Sequence, residues 1–350
     1  MKLTITDVTY PTDDSVTICF KKTRELEGYK AGQHALLDFY IDEEKFTRTY
    51  SFHTAPHLEA DAGITVRVVK GGKISNFLCT SNPENIVVEL KEIDGQFFIE
   101  PSANNHRHLI MFAGGSGITP LMSMIKSILH GEPMSRVSLV YSNRSEDRII
   151  FKAELYQLQQ DFSERFKLFH VITQAPEGDQ HLPVFYKGQL SKLIVRKMIK
   201  NLTGDCAIPT EVYICGPYGF MQMVEEAVVS LNVNLKISKE SFFIPLDDSI
   251  TAYDYTHLAA RDIFVQWKDQ NQLLNVPGGM SILSAALNAN LKLPHSCKEG
   301  QCGTCRSVLI SGEVKMQKNH ILSDEELRQS QILACQAYPV SDGIVIRPMH

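Results

Sequence analysis

Pro294-His295-Ser296-Cys297-Lys298-Glu299-Gly300-Gln301-Cys302-Gly303-Thr304-Cys305, followed well downstream by Leu333-Ala334-Cys335-Gln336, is the stretch that decides how this 350-residue chain is read. The spacing C-x4-C-x2-C with a distant fourth cysteine fits four thiolates around two irons. A small loop must wrap a compact cluster, so three ligands come from one turn, and Gly300 and Gly303 let its backbone curl inward. The fourth ligand then has to arrive from another element. A structural zinc site would want two C-x2-C pairs or added histidines, and only Cys302 and Cys305 form such a pair. A Rieske centre needs two histidines, each near a cysteine, and only His295 stands so. A disulfide framework belongs to short secreted chains. A one-electron centre near the carboxyl end implies electron transfer and raises the question of what feeds it.

The bulk numbers narrow the answer. Hydrophobic residues make up 43% and charged residues 21% of the sequence, the mix of an ordinary soluble protein long enough for two or three domains. A formal net charge of −5 offers no basic field to nucleic acid or anionic lipid. The opening residues, Met1 to Val8, alternate without an apolar signal core, and no run is long enough to span a membrane. The other cysteines, Cys19, Cys79, Cys206 and Cys215, are scattered and suit the reduced thiols of a cytoplasmic protein.

Residues 1–104 read as short alternating runs broken by turns, among them Ser15–Phe20, His34–Tyr40, Gly63–Val69 and Asn85–Leu90. That pattern predicts an antiparallel β-barrel or sandwich. From 105 to 245 the pattern changes to apolar strands (Leu109–Ala113, Val137–Tyr141, Leu168–Ile172, Glu211–Cys215, Leu235–Ser238) alternating with helical runs (Thr119–His130, Phe151–Gln160, Phe220–Leu231). Such alternation implies βαβ units on a parallel sheet. Residues 246–262 show no period and read as a linker. A strand pair from Ile263 and a helix over Ser281–Ala289 lead into the cysteine loop of a last domain, 263–350.

The cysteine loop resembles that of plant-type ferredoxins, which implies an α+β β-grasp domain and a 2Fe–2S cluster on Cys297, Cys302, Cys305 and Cys335. In the first domain, Arg48-Thr49-Tyr50-Ser51, expected to follow a strand, resembles the Arg-x-Tyr-Ser motif of ferredoxin-reductase-like flavoproteins. The resemblance gives Arg48 the flavin phosphate, which a rigid guanidinium fork can hold. It gives Tyr50 one face of the isoalloxazine and Ser51 its edge, with Thr49 between them. Gly71-Gly72-Lys73-Ile74-Ser75-Asn76 then offers backbone N–H groups to a pyrophosphate, with Gly72, Lys73 and Ser75 as contacts. The plain alternative is a tight turn. Gly32-Gln33 and Gly95-Gln96-Phe97 match family turns, although Lys91–Gly95 lacks the proline the family places before that glycine.

In the second domain, Gly114-Gly115-Ser116-Gly117-Ile118-Thr119-Pro120 stands between a strand and a helix. Small residues there let dinucleotide phosphates approach the backbone, and the helix N-terminus favours anions. Cys215-Gly216-Pro217 ends the fourth strand of this domain and opens a helix. The resemblance places this cysteine beside the reacting atoms of nicotinamide and flavin; a buried structural thiol is the alternative. Glu240 and Phe242, at the end of the last strand, match the acidic and aromatic residues such reductases place near the flavin. Ser142 and Arg144 after the second strand suit a 2′-phosphate, hence NADPH over NADH, against which stand Glu146 and Asp147 nearby.

Flavin domain, nucleotide domain and ferredoxin domain in that order resemble the reductase subunits of multicomponent oxygenases, over nearly the whole chain. The phenylacetyl-CoA epoxidase reductases and the hybrid-cluster-protein reductases are the nearest in kind, with aromatic-ring and steroid hydroxylase reductases as alternatives. The resemblance implies an NAD(P)H-dependent reductase using FAD, with FMN left open. Electrons pass through 2Fe–2S to an oxygenase or another redox protein. Tyr50, Ser51, Cys215 and Glu240 are its expected catalytic residues. A non-catalytic ferredoxin-like carrier and a zinc-stabilised binding module are the competing readings.

Overall fold

Valine, isoleucine, threonine and aromatic residues dominate the extended runs of the first hundred residues, and a pleated sheet is the backbone on which such side chains pack. The computed structural model places them in β1 (Lys2–Leu3), β2 (Ile5–Thr12), β3 (Ser15–Lys21), β4 (His34–Ile41), β5 (Glu44–Ser51), β6 (Asp61–Arg67) and β7 (Val87–Asp94), with helix α1 (Lys73–Thr80) before β7. It describes the chain apart from residues 42–43, 70–71, 82, 175–184, 205–207, 232–234, 241–254, 268–269, 296–299, 301–302, 320, 323 and 350. The strands lie antiparallel in the orders β1-β7-β4-β5 and β2-β3-β6. β1 leads straight into β2. Just past β5, Phe52 bridges Ile64 of β6, and the His53 N–H donates to the Gly63 carbonyl at 2.9 Å. The two sheets are thus one closed barrel, the expected form. Phe20, Phe39 and Phe52 fill it, with Ile74 and Leu78 of α1 against them.

Two local expectations need correction. Arg48–Ser51 lie inside β5 rather than after a strand. β3 and β4 are buried almost throughout instead of alternating. The outer face of the barrel is covered too. Thr17 and Thr65 pair there at 2.7 Å, Thr65 reaches His53 Nδ1 at 3.3 Å, and the His53 ring lies 4.9 Å from Phe151 of the following half.

That half comprises β8 (His108–Gly114), α2 (Ile118–Gly131), β9 (Arg136–Asn143), α3 (Lys152–Asp161), β10 (Phe166–Ile172), β11 (Phe185–Lys187), α4 (Lys192–Thr203), β12 (Thr210–Cys215), α5 (Tyr218–Val229) and β13 (Lys236–Glu240). The sheet is parallel, in the order β11-β10-β9-β8-β12-β13. Helices α2 and α3 bury one face and α4 and α5 the other. β11 was not foreseen, because three residues are too few to show a period, and α4 was not singled out either. Cys215 therefore ends the fifth strand in chain order, not the fourth. The strand order reverses between β8 and β12, so the crevice at their carboxyl ends is where an open α/β sheet takes its ligand. The halves are tied by the Lys126–Glu59 ion pair and by Ser123 Oγ donating to the Thr54 carbonyl at 2.6 Å. Met1–Phe242 is accordingly one compact unit.

The second unit, Phe243–His350, contains β14 (Arg261–Trp267), β15 (Gln270–Val276), α6 (Ile282–Asn288), β16 (Arg306–Ser311), β17 (Val314–Met316), α7 (Asp324–Arg328), β18 (Gln331–Leu333), β19 (Ala337–Pro339) and β20 (Val345–Pro348). Its main sheet runs β15-β14-β20-β16-β18, with β14 and β20 parallel and the other pairs antiparallel. Ile282, Leu283, Ala285 and Ala286 of α6 share a core with Ile263, Val265 and Ile346. Ser281 caps α6 by accepting from the Ser284 N–H at 3.3 Å, as N-cap serines do. This is the β-grasp arrangement expected. Tyr255, read as linker, stacks on Tyr338 at 4.1 Å. Residues 246–254 of that stretch lie outside the described residues.

Three buried histidines make the fold acid-sensitive. His53, His108 and His170 are depressed to about 3, about 4 and about 4, in each case chiefly by burial, with Lys126, Arg136 and Lys152 respectively adding positive charge. An unfolded chain protonates such rings near pH 6.5. Between those values the unfolded state binds more protons, so stability falls as the pH drops through the window. At pH 5 each ring costs about 2 kcal/mol relative to pH 7. Urea unfolding at the two pH values checks this, and an unchanged midpoint would overturn it.

Candidate active site and cluster loop

Parallel pairing sets Cys215, at the end of β12, beside Glu240 at the end of β13, with Ala113 of β8 on its other side. The Glu240 carboxylate reaches over to the barrel. Its Oε2 accepts from Ser51 Oγ at 3.2 Å, and its Oε1 lies 3.2 Å from His34 Nδ1. His34 and Ser51 face each other across β4 and β5, which is why one carboxylate meets both. The His34 and Glu240 side chains are only 14% and 12% exposed. Burial and then the Glu240 charge push the Cys215 thiol well above its ordinary range, so it stays a neutral thiol. Along β5, period-two alternation puts Arg48 and Tyr50 on one face and Thr49 and Ser51 on the other. Arg48 and Thr49 are exposed. Tyr50 sets its ring edge-on to Phe39 at 5.8 Å.

The glycine turns after β8 and β12 pack backbone against backbone. A Cβ on Gly117 would overlap the Cys215 carbonyl and stand 2.7 Å from Gly216 N. One on Gly114 would meet Pro217 Cδ at 2.8 Å, and one on Gly216 would meet Gly114 Cα at 3.0 Å. Loop packing is thus a sufficient reason for these glycines, beside phosphate approach. Gly115, at φ +54°, differs, since a Cβ there would meet only Arg67 Nη1, at 3.2 Å. Tyr141 donates to its carbonyl at 3.0 Å, and Thr119 donates to the Ser116 carbonyl at 3.1 Å.

Gly72 caps α1 with extended backbone. Ser75 Oγ accepts from the Val69 N–H at 3.1 Å, and Asn76 donates to the Val69 carbonyl at 2.8 Å. Lys73 pairs with Glu44 at 2.6 Å and lies 4.4 Å over the Phe46 ring. Gly71 and Phe242 lie outside the described residues.

Of the four cysteines expected to hold the cluster, Cys297 and Cys302 also lie outside the described residues. Cys305 and Cys335, far apart in sequence, come together as buried thiols. The contact with Cys305, and then burial, raises Cys335 far above the ordinary thiol range, while the Gly300 N–H and the Gln336 side chain oppose the rise. Two thiolates forced together in a buried site need positive charge between them, which ligated iron supplies. Gly300 and Gly303 both sit at φ +72°, a region open to glycine. A Cβ on Gly300 would stand 3.1 Å from the Lys318 carbonyl. The paired Cys305 and Cys335 thiols and the Gly300 and Gly303 backbone therefore fit the cluster.

Family models agree with this geometry, domain by domain. Residues 2–99 match an oxidoreductase FAD-binding domain, 111–226 an oxidoreductase NAD-binding domain, and 265–340 a 2Fe-2S iron-sulfur cluster binding domain. The chain is 29% identical over 352 residues to the E subunit of 1,2-phenylacetyl-CoA epoxidase from Escherichia coli (strain K12), covering 98% of this chain and 96% of that protein. It is 30% identical over 303 residues to the ferredoxin reductase component of 3-ketosteroid-9-alpha-monooxygenase from Mycobacterium tuberculosis, covering 85% and 79% respectively. The chain belongs to the three-domain family of flavin and iron–sulfur reductases. Its fold is that of phthalate dioxygenase reductase (TM-score 0.59, 22% identity, 99% of this chain and 97% of that one). It also superimposes on full-length CYP116B46 from Tepidiphilus thermophilus (TM-score 0.69, 21% identity, 99% of this chain), spanning 41% of that longer chain.

This reductase is an oxidoreductase that carries electrons from NAD(P)H through FAD to a 2Fe–2S cluster. No helix among its described residues is long and apolar enough to cross a membrane. Two side chains at its site escaped the sequence reading. His34 follows a recognised Gly-Gln turn, but its place beside Glu240 depends on the β4–β5 register. Arg67 ends β6, where its Nε donates to Asp14 Oδ1 at 3.2 Å and its Nη2 to the Arg148 carbonyl, beside Gly115. At the far end of the crevice, Ser142 pairs in register with Gly114, Arg144 is exposed, and Glu146 is held by Lys152.

Proposed function

We propose that this reductase supplies a partner oxygenase of the phenylacetyl-CoA epoxidase type, in the cytoplasm and without a nucleic-acid role, and that it takes its electrons from NADPH. We assign residues 1–104 to FAD, 105–245 to the nucleotide, and 263–350 to the cluster, joined by a linker over 246–262. The observation that carries the hydride site is the meeting of Ser51, Cys215 and Glu240 at the carboxyl end of the parallel sheet. When bound, the flavin takes an electron pair from NAD(P)H and releases electrons singly.

The chain's own groups do the rest. Arg48 and Thr49 bind the flavin phosphate side and Tyr50 covers one ring face, leaving the other for nicotinamide. Gly72, Lys73 and Ser75 hold the flavin pyrophosphate. Gly114, Gly115, Ser116, Gly117 and Thr119 receive the nucleotide phosphates, while Cys215, Gly216 and Pro217 close the crevice beside the reacting atoms. Ser51 and Glu240 hold a proton near the flavin edge, His34 fixes the carboxylate, and Phe242 belongs to the same site. Ser142 and Arg144 bind the 2′-phosphate, a reading supported by the neutralisation of Glu146 by Lys152. Cys297, Cys302, Cys305 and Cys335 hold the irons.

Anaerobic addition of NADPH is expected to bleach flavin and cluster absorbance faster than NADH does. NADPH consumption is then expected to couple to oxygenation of phenylacetyl-CoA when the epoxidase components are supplied. Persistent colour with both nucleotides overturns the hydride site. Bleaching without coupling overturns the partner alone.

A further inference from the structure

Arg306 follows the third cluster cysteine and opens β16. Its Nη1 donates to Glu326 Oε1 at 3.0 Å, with the two side chains 22% and 25% exposed. Its Nε is buried and meets no acceptor among the described residues, a costly state for a charged donor. The guanidinium lies against Gly303, where a Cβ would stand 3.0 Å from Nε and 3.6 Å from Cζ. Gly303 sits between Cys302 and Cys305, so a half-buried cation with an N–H that meets no acceptor among the described residues flanks the segment that carries two of the four proposed ligands.

A cluster held by four thiolates is negative, and one-electron reduction by the reduced flavin makes it one unit more negative, with no bond made and no proton required. A cation held this close favours the reduced form, and partial burial limits the screening of that attraction. Charge and hydrogen bonds at the sulfurs are the levers a protein has on such a potential. We propose that Arg306 sets the reduction potential of the cluster upward, and that Glu326 orients its guanidinium and offsets part of its charge. The inference rests on the assignment of the four cysteines as ligands.

The test is an anaerobic, mediator-coupled redox titration of the full-length, cluster-loaded chain, followed by electron paramagnetic resonance of the reduced cluster. Arg306→Met is expected to lower the midpoint so that reduction becomes about tenfold less favourable, roughly 59 mV for one electron. Glu326→Gln is expected to move it the other way, and Arg306→Lys to hold most of the wild-type value. A merely structural role would not give opposite signs. Shifts of the same sign, or wild-type midpoints in both neutral variants at equal iron and sulfide content, overturn the proposal. If Arg306→Met takes up no cluster, Glu326→Gln decides alone: an upward shift supports the proposal, and no shift sinks it. A wild-type chain that takes up neither iron nor sulfide overturns the ligand assignment itself.

Discussion

A Cys335→Ala chain is expected to stay yellow and to oxidise NAD(P)H with ferricyanide at the wild-type rate, yet to deliver nothing to a one-electron protein acceptor. Cys335 is held between β18 and β19 by the backbone that also pins the cluster loop. The Ala334 N–H donates to the Cys305 carbonyl at 3.1 Å, and the Leu283 N–H donates to the Ala334 carbonyl at 2.9 Å. Alanine leaves those bonds in place, so the unit folds while the fourth thiolate is gone. Losing an outer-shell partner already weakens a metal site about 10–100-fold, and losing a ligand costs more than ~100-fold. Met1–Phe242 forms its own unit, so the hydride half has no reason to fail with it. Iron and sulfide content, the paramagnetic signal of the reduced chain, and the ratio of ferricyanide to cytochrome c reduction decide the matter. An intact signal in the variant places the fourth ligand elsewhere.

What could be read from the sequence is what chemistry confines to a few neighbouring residues. A cluster needs its ligands at close spacing, so Cys297 to Cys305 announce it. A dinucleotide needs a glycine turn between strand and helix, so Gly114–Thr119 announce that. The parallel sheet followed from strong local periods, and β11 was missed because Phe185–Lys187 is shorter than any period. The regular alternation expected of the barrel was lost for a tertiary reason: Phe151 and α2 cover the face that carries Thr17, Thr65 and His53.

His34 and Arg67 were beyond reach on other grounds. His34 meets Glu240 only because β4 and β5 pair in one register and β13 ends against them, a coincidence of residues 206 apart in the chain. Arg67 comes to Gly115 only when barrel and sheet close on each other. Even where a residue was singled out, the reason was incomplete. Gly117 reads as room for a phosphate, and the packing shows that the Cys215 carbonyl excludes a side chain there as well.

That double demand on Gly117 makes Gly117→Ala the counterpart of the cysteine variant. The new Cβ meets the backbone of Cys215 and Gly216, not a flexible side-chain end. No rotamer relieves it, so the turn after β8 must move off the end of β12. Overpacking costs typically 1–3 kcal/mol, and a backbone-to-backbone clash belongs at about 3 kcal/mol or above. The displaced turn is also the one proposed to seat the nucleotide beside Cys215, and a shift of about 1 Å at such a site costs roughly 100-fold in rate. NAD(P)H oxidation is therefore expected to collapse with every acceptor, ferricyanide included, while dithionite still reduces a normal cluster in the second unit. Gly115→Ala is the control. Its φ of +54° costs an alanine about 1–2 kcal/mol, but its only steric neighbour among the described residues is a side-chain atom, Arg67 Nη1 at 3.2 Å, and not backbone, so its melting temperature should fall less. Equal losses in the two variants would mean that general backbone strain, and not the contact between the two turns, governs this edge of the sheet. Gly117→Ala is thus expected to close the way in for electrons and Cys335→Ala the way out, each leaving the opposite half of the molecule at work.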